Sequence, residues 1–273
     1  MSGILYVVAT PIGNLSDLSS RGAETLKQVA IIAAEDTRRT ERLLSHIGGT
    51  HARLLSLHSH NESLMTKKVL AKLNYGEDVA LVSDAGTPLV SDPGYPLVRA
   101  AWKEEIKVVP IPGPSAITAL LSVSPIPLHR FSFEGFLPSK SESRIKRLSA
   151  LANESSATLF FEAPHRIAQA LKDLESIVAA DRQILVGREL TKIHETIYSG
   201  SIAQVRAQLE TEDAHRGEFV LLLEGSKEAE FDTETVRLLE LLAKELPKTQ
   251  AAKLTARFSG ASRRDLYALL DEA

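Results

Sequence analysis

A loop of small residues carries two carboxylates directly after a short apolar run. Residues 79–82 predict a buried strand, because four apolar residues in a row are too few for a helix. The loop that follows contains Asp84, Gly86 and Asp92 among prolines and hydroxyl side chains. At the carboxyl end of a parallel strand, such a loop lies where open α/β sheets bind ligands. A stiff surface loop without a ligand is the alternative interpretation.

Four other predicted strand ends carry the same kind of small and polar residues. They lie at residues 10–14, 35–38, 112–116 and 161–166. The loop at 112–116 opens a helix, whose free backbone N–H groups suit a carboxylate or a phosphate. Five such loops converging on a cleft between two domains indicate a binding site for a small molecule.

The elements that position these loops follow from the apolar patterns. Strand and helix patterns alternate five times up to residue 123, which predicts an α/β fold with a parallel sheet covered on both faces. Right-handed crossovers place the five strand-to-helix loops of this half on one rim. The pattern then becomes less regular, with one strand expected at residues 193–198, and predicts a second α/β domain with a mixed sheet. We expect domains at residues 1–124 and 125–227 and a small helical tail at 228–273.

Composition limits the classes of function. The chain has 273 residues, of which 44% are hydrophobic and 25% charged, as in a globular enzyme. Its net charge of −3 means that contact with nucleic acid must come from local basic patches. The absence of cysteine excludes disulfides and thiolate nucleophiles and fits a reducing cytosol. With no signal peptide and no membrane span in view, we expect a cytoplasmic protein.

Several common signatures are missing. The chain contains neither GxGxxG nor GxxxxGK[ST], which argues against the standard dinucleotide and P-loop sites. His58 and His60 would share one face of a strand, as zinc ligands can. Because no second pair of ligands stands out, we interpret them as part of a polar rim and expect no metal.

Six motifs together resemble the tetrapyrrole-methylase superfamily. They span about residues 4 to 225 and read LYVVATPIGNLSDLS, AEDTRRT, ALVSDAGTPLVSDPG, PIPGPSA, FFEAPHR and GEFVLLLEG. Within the superfamily they are most similar to the ribosomal RNA small subunit methyltransferase I group. That group methylates a cytidine ribose 2′-hydroxyl of small-subunit ribosomal RNA with S-adenosyl-L-methionine. The resemblance implies two α/β domains with the methyl donor between them, and a homodimer.

The resemblance also assigns residues to the methyl donor. They lie at strand ends of both domains and are Pro11, Asp84, Ala85, Gly86, Ser115, Ala116, Phe161, Glu162 and Leu190. The assignment of residues 115 and 116 agrees with the helix start inferred from the loop pattern.

A ribose hydroxyl is a poor nucleophile at neutral pH, so a carboxylate that accepts its proton should help. Glu35 and Asp36 end a strand at the predicted rim and are our hypothesis for this role, with Arg38 holding a phosphate beside them. The alternative for Asp36 is to cap the helix that begins near residue 37. Asp92, with Glu162 behind it, is a second candidate base.

Binding to RNA needs local positive charge, and two stretches provide it. One is residues 139–147, which could equally be a solvated helix face. The other is the tail from residue 247 to 264, which has five cations, no acid and a spacing like that of a helix-turn-helix. The expected RNA contacts are Arg38, Lys140, Arg144, Lys146, Arg147, Lys253, Arg257, Arg263 and Arg264. Ala251, Leu254 and Phe258 are expected in the core of the tail.

Two other functions stay open at this point. One is a methylase of a tetrapyrrole or another small substrate, against which the basic tail argues. The other is a noncatalytic RNA-binding or ribosome-assembly protein, against which the many small polar residues at the cleft argue. The expected partner is small-subunit ribosomal RNA, either naked or in the assembled subunit.

Overall fold

The computed structural model describes residues 2–211, 216–226, 231 and 233–272. The expected boundary at residue 227 lies outside these residues. No helix in the described ranges is long and apolar enough to cross a membrane.

The first half of the chain forms a five-stranded parallel sheet with helices on both faces. Its strands are β1 (Leu5–Val8), β2 (Ile31–Ala34), β3 (Arg53–Ser56), β4 (Val79–Val82) and β5 (Val108–Ile111). Its helices are α1 (Ser20–Gln28), α2 (Thr37–His46), α3 (Glu62–Asn74), α4 (Tyr95–Lys103) and α5 (Ala116–Ser122), and a short 3-10 helix covers Leu15–Asp17. The strand order is β3-β2-β4-β1-β5. The interior strands β2 and β4 are buried at every position, which explains their continuous apolar runs.

The second half forms a five-stranded mixed sheet. Its strands are β6 (Phe131–Phe136), β7 (Ala157–Glu162), β8 (Gln183–Arg188), β9 (Thr196–Ser201) and β10 (Phe219–Leu223), in the order β6-β7-β10-β8-β9. Its helices are α6 (Ser141–Ala152), α7 (Ile167–Glu175) and α8 (Ile202–Thr211). Only β6 and β7 pair in parallel, while the other three pairings are antiparallel. The predictions of a parallel and then a mixed sheet are confirmed.

One predicted strand begins in the wrong place. We expected it at residues 193–198, whereas β9 starts at Thr196. The preceding loop has left-handed backbone at Glu189 and Thr191, which a strand cannot contain. The Thr191 N–H donates to Glu195 Oε2 at 2.5 Å, and Ile193 is 96% exposed. The alternating apolar pattern there continues through a tight loop.

Helix α5 connects the two halves. It follows β5 in the chain, but its Leu120 is buried against the second sheet, in one cluster with Leu159, Leu185 and Val220. A Cβ on Gly187 would come within 2.9 Å of Leu120 Cδ1, so a larger residue there would displace the helix. Helix α5 therefore follows the last strand of the first sheet in the chain but is held in place by packing against the second sheet.

The tail forms three packed helices, α9 (Thr233–Glu245), α10 (Lys248–Ser259) and α11 (Arg263–Glu272). Pro247 precedes α10, and Gly260 ends it with a left-handed φ of 74°. The core is built on Leu239, Ala251, Ala252 and Leu266.

The core role predicted for Ala251 is confirmed, but the same prediction for two larger residues is wrong. Leu254 is 44% exposed and Phe258 is 69% exposed. The reason is that α10 packs through its small side chains, Ala251, Ala252 and Thr255, which let the helices approach closely.

Candidate functional site

A cleft of about 400 Å³ lies at the carboxyl ends of the first sheet, facing the second sheet. Loops that follow β2 and β4 form one wall, and the ends of β6, β7, β8 and β10 contribute to the other. This is the size and placement expected of a small-molecule site in an open α/β sheet.

The loops after β1 and β4 are joined by a backbone bridge. The Thr10 N–H donates to the Gly86 carbonyl and the Gly86 N–H to the Thr10 carbonyl, both at 2.9 Å. Gly86 has a φ of 83°, which favours glycine. The Thr87 hydroxyl also donates to the Pro114 carbonyl at 3.4 Å, so the loop before α5 joins the same network. These bonds hold the cleft floor in one arrangement.

The loop after β4 has further strained backbone beside the cleft. Leu89 and Ser91 have φ values of 74° and 66°, which cost non-glycine residues about 1–3 kcal/mol each. The Gly94 N–H at the end of the loop donates to Glu62 Oε1 at 2.6 Å. Such strain is typical of functional loops, and Val90, Ser91 and Asp92 do line the cleft.

Ser115 and Ala116 line the cleft where α5 begins. The Ser115 side chain makes no capping hydrogen bond to the helix. The first backbone N–H groups of α5 therefore stay uncapped by that side chain.

The second sheet contributes aromatic and apolar side chains and one buried carboxylate. Phe161 packs against Phe136 with ring centroids 5.5 Å apart, and both line the cleft. The Glu162 side chain is fully buried, and its Oε1 accepts from Arg166 at 2.6 Å and from the Ala163 N–H at 2.7 Å. Its Oε2 is buried and has no hydrogen-bond partner among the described residues. A buried carboxylate oxygen of this kind is costly unless a ligand supplies a donor.

Three carboxylates of the first sheet meet at the rim. Burial raises the pKa of Glu35, with Asp84 adding to the rise. Burial also raises the pKa of Asp92 to about 6, partly opposed by the hydroxyl of Ser83 and helped by the charges of Glu35 and Asp84. Asp84 accepts from the Asp36 N–H at 2.9 Å and faces Arg39 at 3.4 Å, so it ties the β2 and β4 loops together.

Asp36 occupies a different environment from its neighbour Glu35. It caps α2 by accepting from the Arg38 N–H at 2.9 Å, and its carboxylate is also bound by the Arg38 guanidinium at 2.7 and 3.0 Å. These hydrogen bonds lower the pKa of Asp36 to about 2. Glu35 lines the cleft, whereas Asp36 is not among the lining residues. The capping role that the sequence left open for Asp36 is present.

Most of the residues assigned to the donor come together in the structure. Eight of them line the cleft: Asp84, Ala85, Gly86, Ser115, Ala116, Phe161, Glu162 and Leu190. Pro11 is buried beside the Thr10–Gly86 bridge and does not line the cleft, while its neighbour Ile12 does. Sequence reasoning missed Phe136 and Phe219, because aromatic residues at strand ends carry no distinguishing pattern.

The basic residues fall into two groups. The Arg144 guanidinium is buried and donates to Asp173 at 2.8 Å, so it is not part of the exposed surface. Arg147 is held by Glu134 at 2.6 Å, and Arg38 by Asp36. The remaining members are exposed, and their side chains form no hydrogen bond or ion pair with any residue of the described ranges: Lys140, Lys146, Lys253, Arg257, Arg263 and Arg264.

Within the described residues, no three His, Asp or Glu side chains are arranged to hold a metal ion. His58 and His60 meet edge to face with ring centroids 5.9 Å apart.

Comparison with solved structures identifies chains of similar fold. A cobalt precorrin-4 methyltransferase, described as a cobalamin biosynthetic enzyme, has a TM-score of 0.59 at 15% identity, covering 80% of this chain and 94% of its own. A uroporphyrin-III-C-methyltransferase from Thermus thermophilus has a TM-score of 0.57 at 16% identity, covering 81% and 94%. At these identities the likeness concerns the fold alone.

Sequence comparison reaches further. A Ribosomal RNA small subunit methyltransferase I from Xylella fastidiosa strain Temecula1 is 50% identical, covering 97% of this chain and 98% of the relative. The protein of the same name from Escherichia coli O157:H7 is 46% identical, covering 97% and 93%. The family profile "Tetrapyrrole (Corrin/Porphyrin) Methylases" matches residues 4–206, and "RsmI C-terminal HTH domain" matches residues 229–272. The chain therefore belongs to the tetrapyrrole methylase family and, within it, to the ribosomal RNA small subunit methyltransferase I group.

Proposed function

We propose that this chain transfers a methyl group from S-adenosyl-L-methionine to small-subunit ribosomal RNA, at the ribose 2′-hydroxyl of a cytidine. The observation that carries the proposal is the sequence identity of 43–50% to relatives named Ribosomal RNA small subunit methyltransferase I. This identity extends over nearly the whole chain. The cleft between the two sheets supports it, because its walls offer what a methyl donor and a hydroxyl acceptor require.

The cleft residues fit the donor in charge and shape. When bound, S-adenosyl-L-methionine supplies an electrophilic methyl group attached to a positively charged sulfur. Phe161 and Leu190 would cover its apolar parts, and Gly86 lets a ligand approach the backbone. The unpartnered Oε2 of Glu162 would accept a hydrogen bond from a nitrogen of S-adenosyl-L-methionine. Ser115 and Ala116 would close one end.

Of the two residues proposed as the general base, Glu35 fits the role better than Asp36. A general base works best when its pKa lies near the operating pH, and burial raises the pKa of Glu35 in that direction. Asp36, with a pKa near 2, is a weak proton acceptor and would serve by positioning Arg38 and α2. Asp92 remains the second candidate, since it shares the rim and has a pKa of about 6.

The exposed cations would supply RNA affinity through phosphate contacts, which give no sequence readout by themselves. We propose Lys140 and Lys146 near α6 and the cations of α10 and α11 for this role. Arg38 and Arg147 would exchange their carboxylate partners for a phosphate, because both arginine side chains are exposed and an ion pair with an exposed partner contributes little free energy. Arg144 is left out of the surface because it is buried.

The proposed function is tested by methyl transfer from isotopically labelled S-adenosyl-L-methionine to small ribosomal subunits that lack the modification. Nuclease digestion should return the label as a 2′-O-methylcytidine. Label found on a base instead would support a methyltransferase activity but exclude the ribose hydroxyl as the group that is methylated. Binding of S-adenosyl-L-methionine without methyl transfer to small subunits or to naked RNA would exclude small-subunit ribosomal RNA as the substrate.

Three further properties remain proposals. The domain division at residues 124 and 227 can be tested by limited proteolysis of the full chain. The homodimer can be tested by light scattering after size exclusion. The cytoplasmic location can be tested by fractionation of cells.

A further inference from the structure

Helix α10 has its small residues inside and its large apolar residues outside. Ala251, Ala252 and Thr255 are buried in the tail core, with relative exposures of 0%. Leu254 and Phe258 lie four residues apart, on one face of the helix, and are 44% and 69% exposed. Among the described residues, α10 fills the core of the tail with Ala251 and Ala252, so this core does not account for a phenylalanine in solvent.

Two cations lie on one side of these apolar side chains. Lys253 and Arg257 are also four residues apart, and Arg257 follows Leu254 by three residues, so these three side chains are neighbours on the helix surface. Neither side chain forms a hydrogen bond or ion pair with any residue in the described parts of the chain. Helix α10 has no acidic residue of its own. We name Lys253, Leu254, Arg257 and Phe258 the α10 face.

An exposed aromatic ring on a helix surface that also carries unpaired cations matches the chemistry of unpaired nucleotides. Single-stranded nucleic acid is bound by aromatic side chains that stack on bases and by cations that contact the backbone phosphates. Double-stranded RNA offers no equivalent, because its deep, narrow major groove does not admit side chains to the base edges. A helix-turn-helix that reads DNA through its second helix would therefore have to meet RNA differently.

We propose that the α10 face binds a single-stranded segment of RNA, with a base stacked on Phe258 and phosphates held by Lys253 and Arg257. This rests on the proposed function for the identity of the RNA, and it assigns recognition to the first helix of the motif. Arg263 and Arg264, which begin α11 after the turn at Gly260, would extend the contact to the adjoining phosphates.

The test uses the full chain and fluorescence anisotropy with a single-stranded oligoribonucleotide and the same sequence as a duplex. Phe258→Ala should weaken single-strand binding about 5- to 100-fold, with an unchanged dependence on salt. Phe258→Trp should retain binding, whereas Phe258→Leu should behave like the alanine variant because it keeps apolar area without a π face. Lys253→Ala combined with Arg257→Ala should lower the salt slope by about 1 to 1.5.

A matched control is Tyr75→Ala. Tyr75 is another aromatic residue in solvent, 85% exposed, and it lies after α3 at the amino end of the first sheet, away from the cleft. Its replacement should leave RNA binding unchanged. Calorimetry with S-adenosyl-L-methionine should give the same affinity for every variant, which separates a defect in the tail from a defect in the cleft.

Wild-type affinity for single strands in Phe258→Ala or in Phe258→Leu would overturn stacking. An α10-face variant that changes the oligomeric state on size exclusion, with RNA binding intact, would assign the face to a protein contact instead. Both results leave the methyl-transfer assay unaffected. A wild-type chain that binds single-stranded RNA but methylates no ribosomal RNA would instead contradict the proposed function alone.

Discussion

The cleft and the tail combine charged and apolar side chains in opposite ways. In the cleft, carboxylates such as Glu35 and Asp92 are partly buried beside other acids, and their pKa values are raised. In the tail, cations such as Lys253 and Arg257 are exposed and lie beside an aromatic ring that is also exposed. In the cleft, partial burial raises the pKa values of a few carboxyl groups. In the tail, the charged side chains remain exposed to solvent.

This difference separates two tasks. Buried groups interact strongly with their neighbours, because the low local polarity strengthens each electrostatic interaction and makes its geometry decisive. Exposed charges act over about a Debye length, near 8–10 Å, and contribute affinity that added salt removes. Substitutions in the cleft should therefore change turnover or donor affinity at any salt concentration. Substitutions in the tail should change RNA affinity in a salt-dependent way.

The largest expected effect is on turnover. Glu35→Gln removes the proposed base while keeping its size, and should lower the rate of methyl transfer about 10²- to 10⁴-fold. Donor affinity, measured by calorimetry, should stay near the wild-type value. Asp36→Asn is the comparison, and should change stability little, because asparagine caps a helix about as well as aspartate, and should cause a smaller loss of rate. Full turnover in both variants would show that neither carboxylate is the base.

Donor affinity should respond most to the buried carboxylate of the second wall. Glu162→Gln removes the buried carboxylate charge of a residue that lines the cleft and should weaken donor binding about 10- to 100-fold, as expected for a charge-assisted hydrogen bond. Asp173→Asn is the matched control, because it disturbs the buried pair with Arg144 outside the cleft. That control should lower the melting temperature but keep donor affinity. Equal losses of affinity in both variants would attribute the effect to global destabilisation.

The exposed cations of α11 should give a smaller effect. Replacing both Arg263 and Arg264 with alanine should weaken RNA binding several-fold and lower the salt slope by about 1 to 2. Arg144→Ala should leave the salt slope unchanged but lower stability by about 3–5 kcal/mol, because it strands Asp173. A reduced slope for Arg144→Ala would contradict its exclusion from the RNA surface.

The smallest expected effect is on stability and has a defined pH dependence. Because the pKa of Asp92 is raised to about 6, the folded chain keeps a proton there at pH values where the unfolded chain has released it. Stability therefore falls as the pH rises from about 4 to about 6, and the penalty persists at neutral pH. Asp92→Asn should remove about 1 kcal/mol of penalty after allowance for solvent screening, and raise the melting temperature by roughly 2–4 °C at pH 7.

This gain should vanish below about pH 4, where Asp92 is protonated in both states. A thermal melt at pH 3.5 and at pH 7 checks the sign. An equal gain at both values would indicate improved packing and contradict the electrostatic explanation.

The sequence predicts the first sheet and much of the cleft because both depend on local patterns. Apolar runs such as Ile31–Ala34 are typical of interior strands, and right-handed crossovers place the loops that follow them on one rim. The errors arise where a distant partner decides. Arg144 belongs to a basic stretch, but Asp173, 29 positions away, buries it. Phe258 has the spacing of a core residue, but the alanines of α10 already fill that core.

Helix α5 also determines how the molecule can be divided. A gene fragment that started after residue 124 would encode the whole mixed sheet but not the helix that covers one of its faces. Leu159, Leu185 and Val220 would then meet solvent, and such a fragment should aggregate when expressed alone. A fragment beginning near residue 113 would carry its own cover. The second half is therefore not an independent folding unit, because α5, which follows the first sheet in the chain, covers one face of the second sheet.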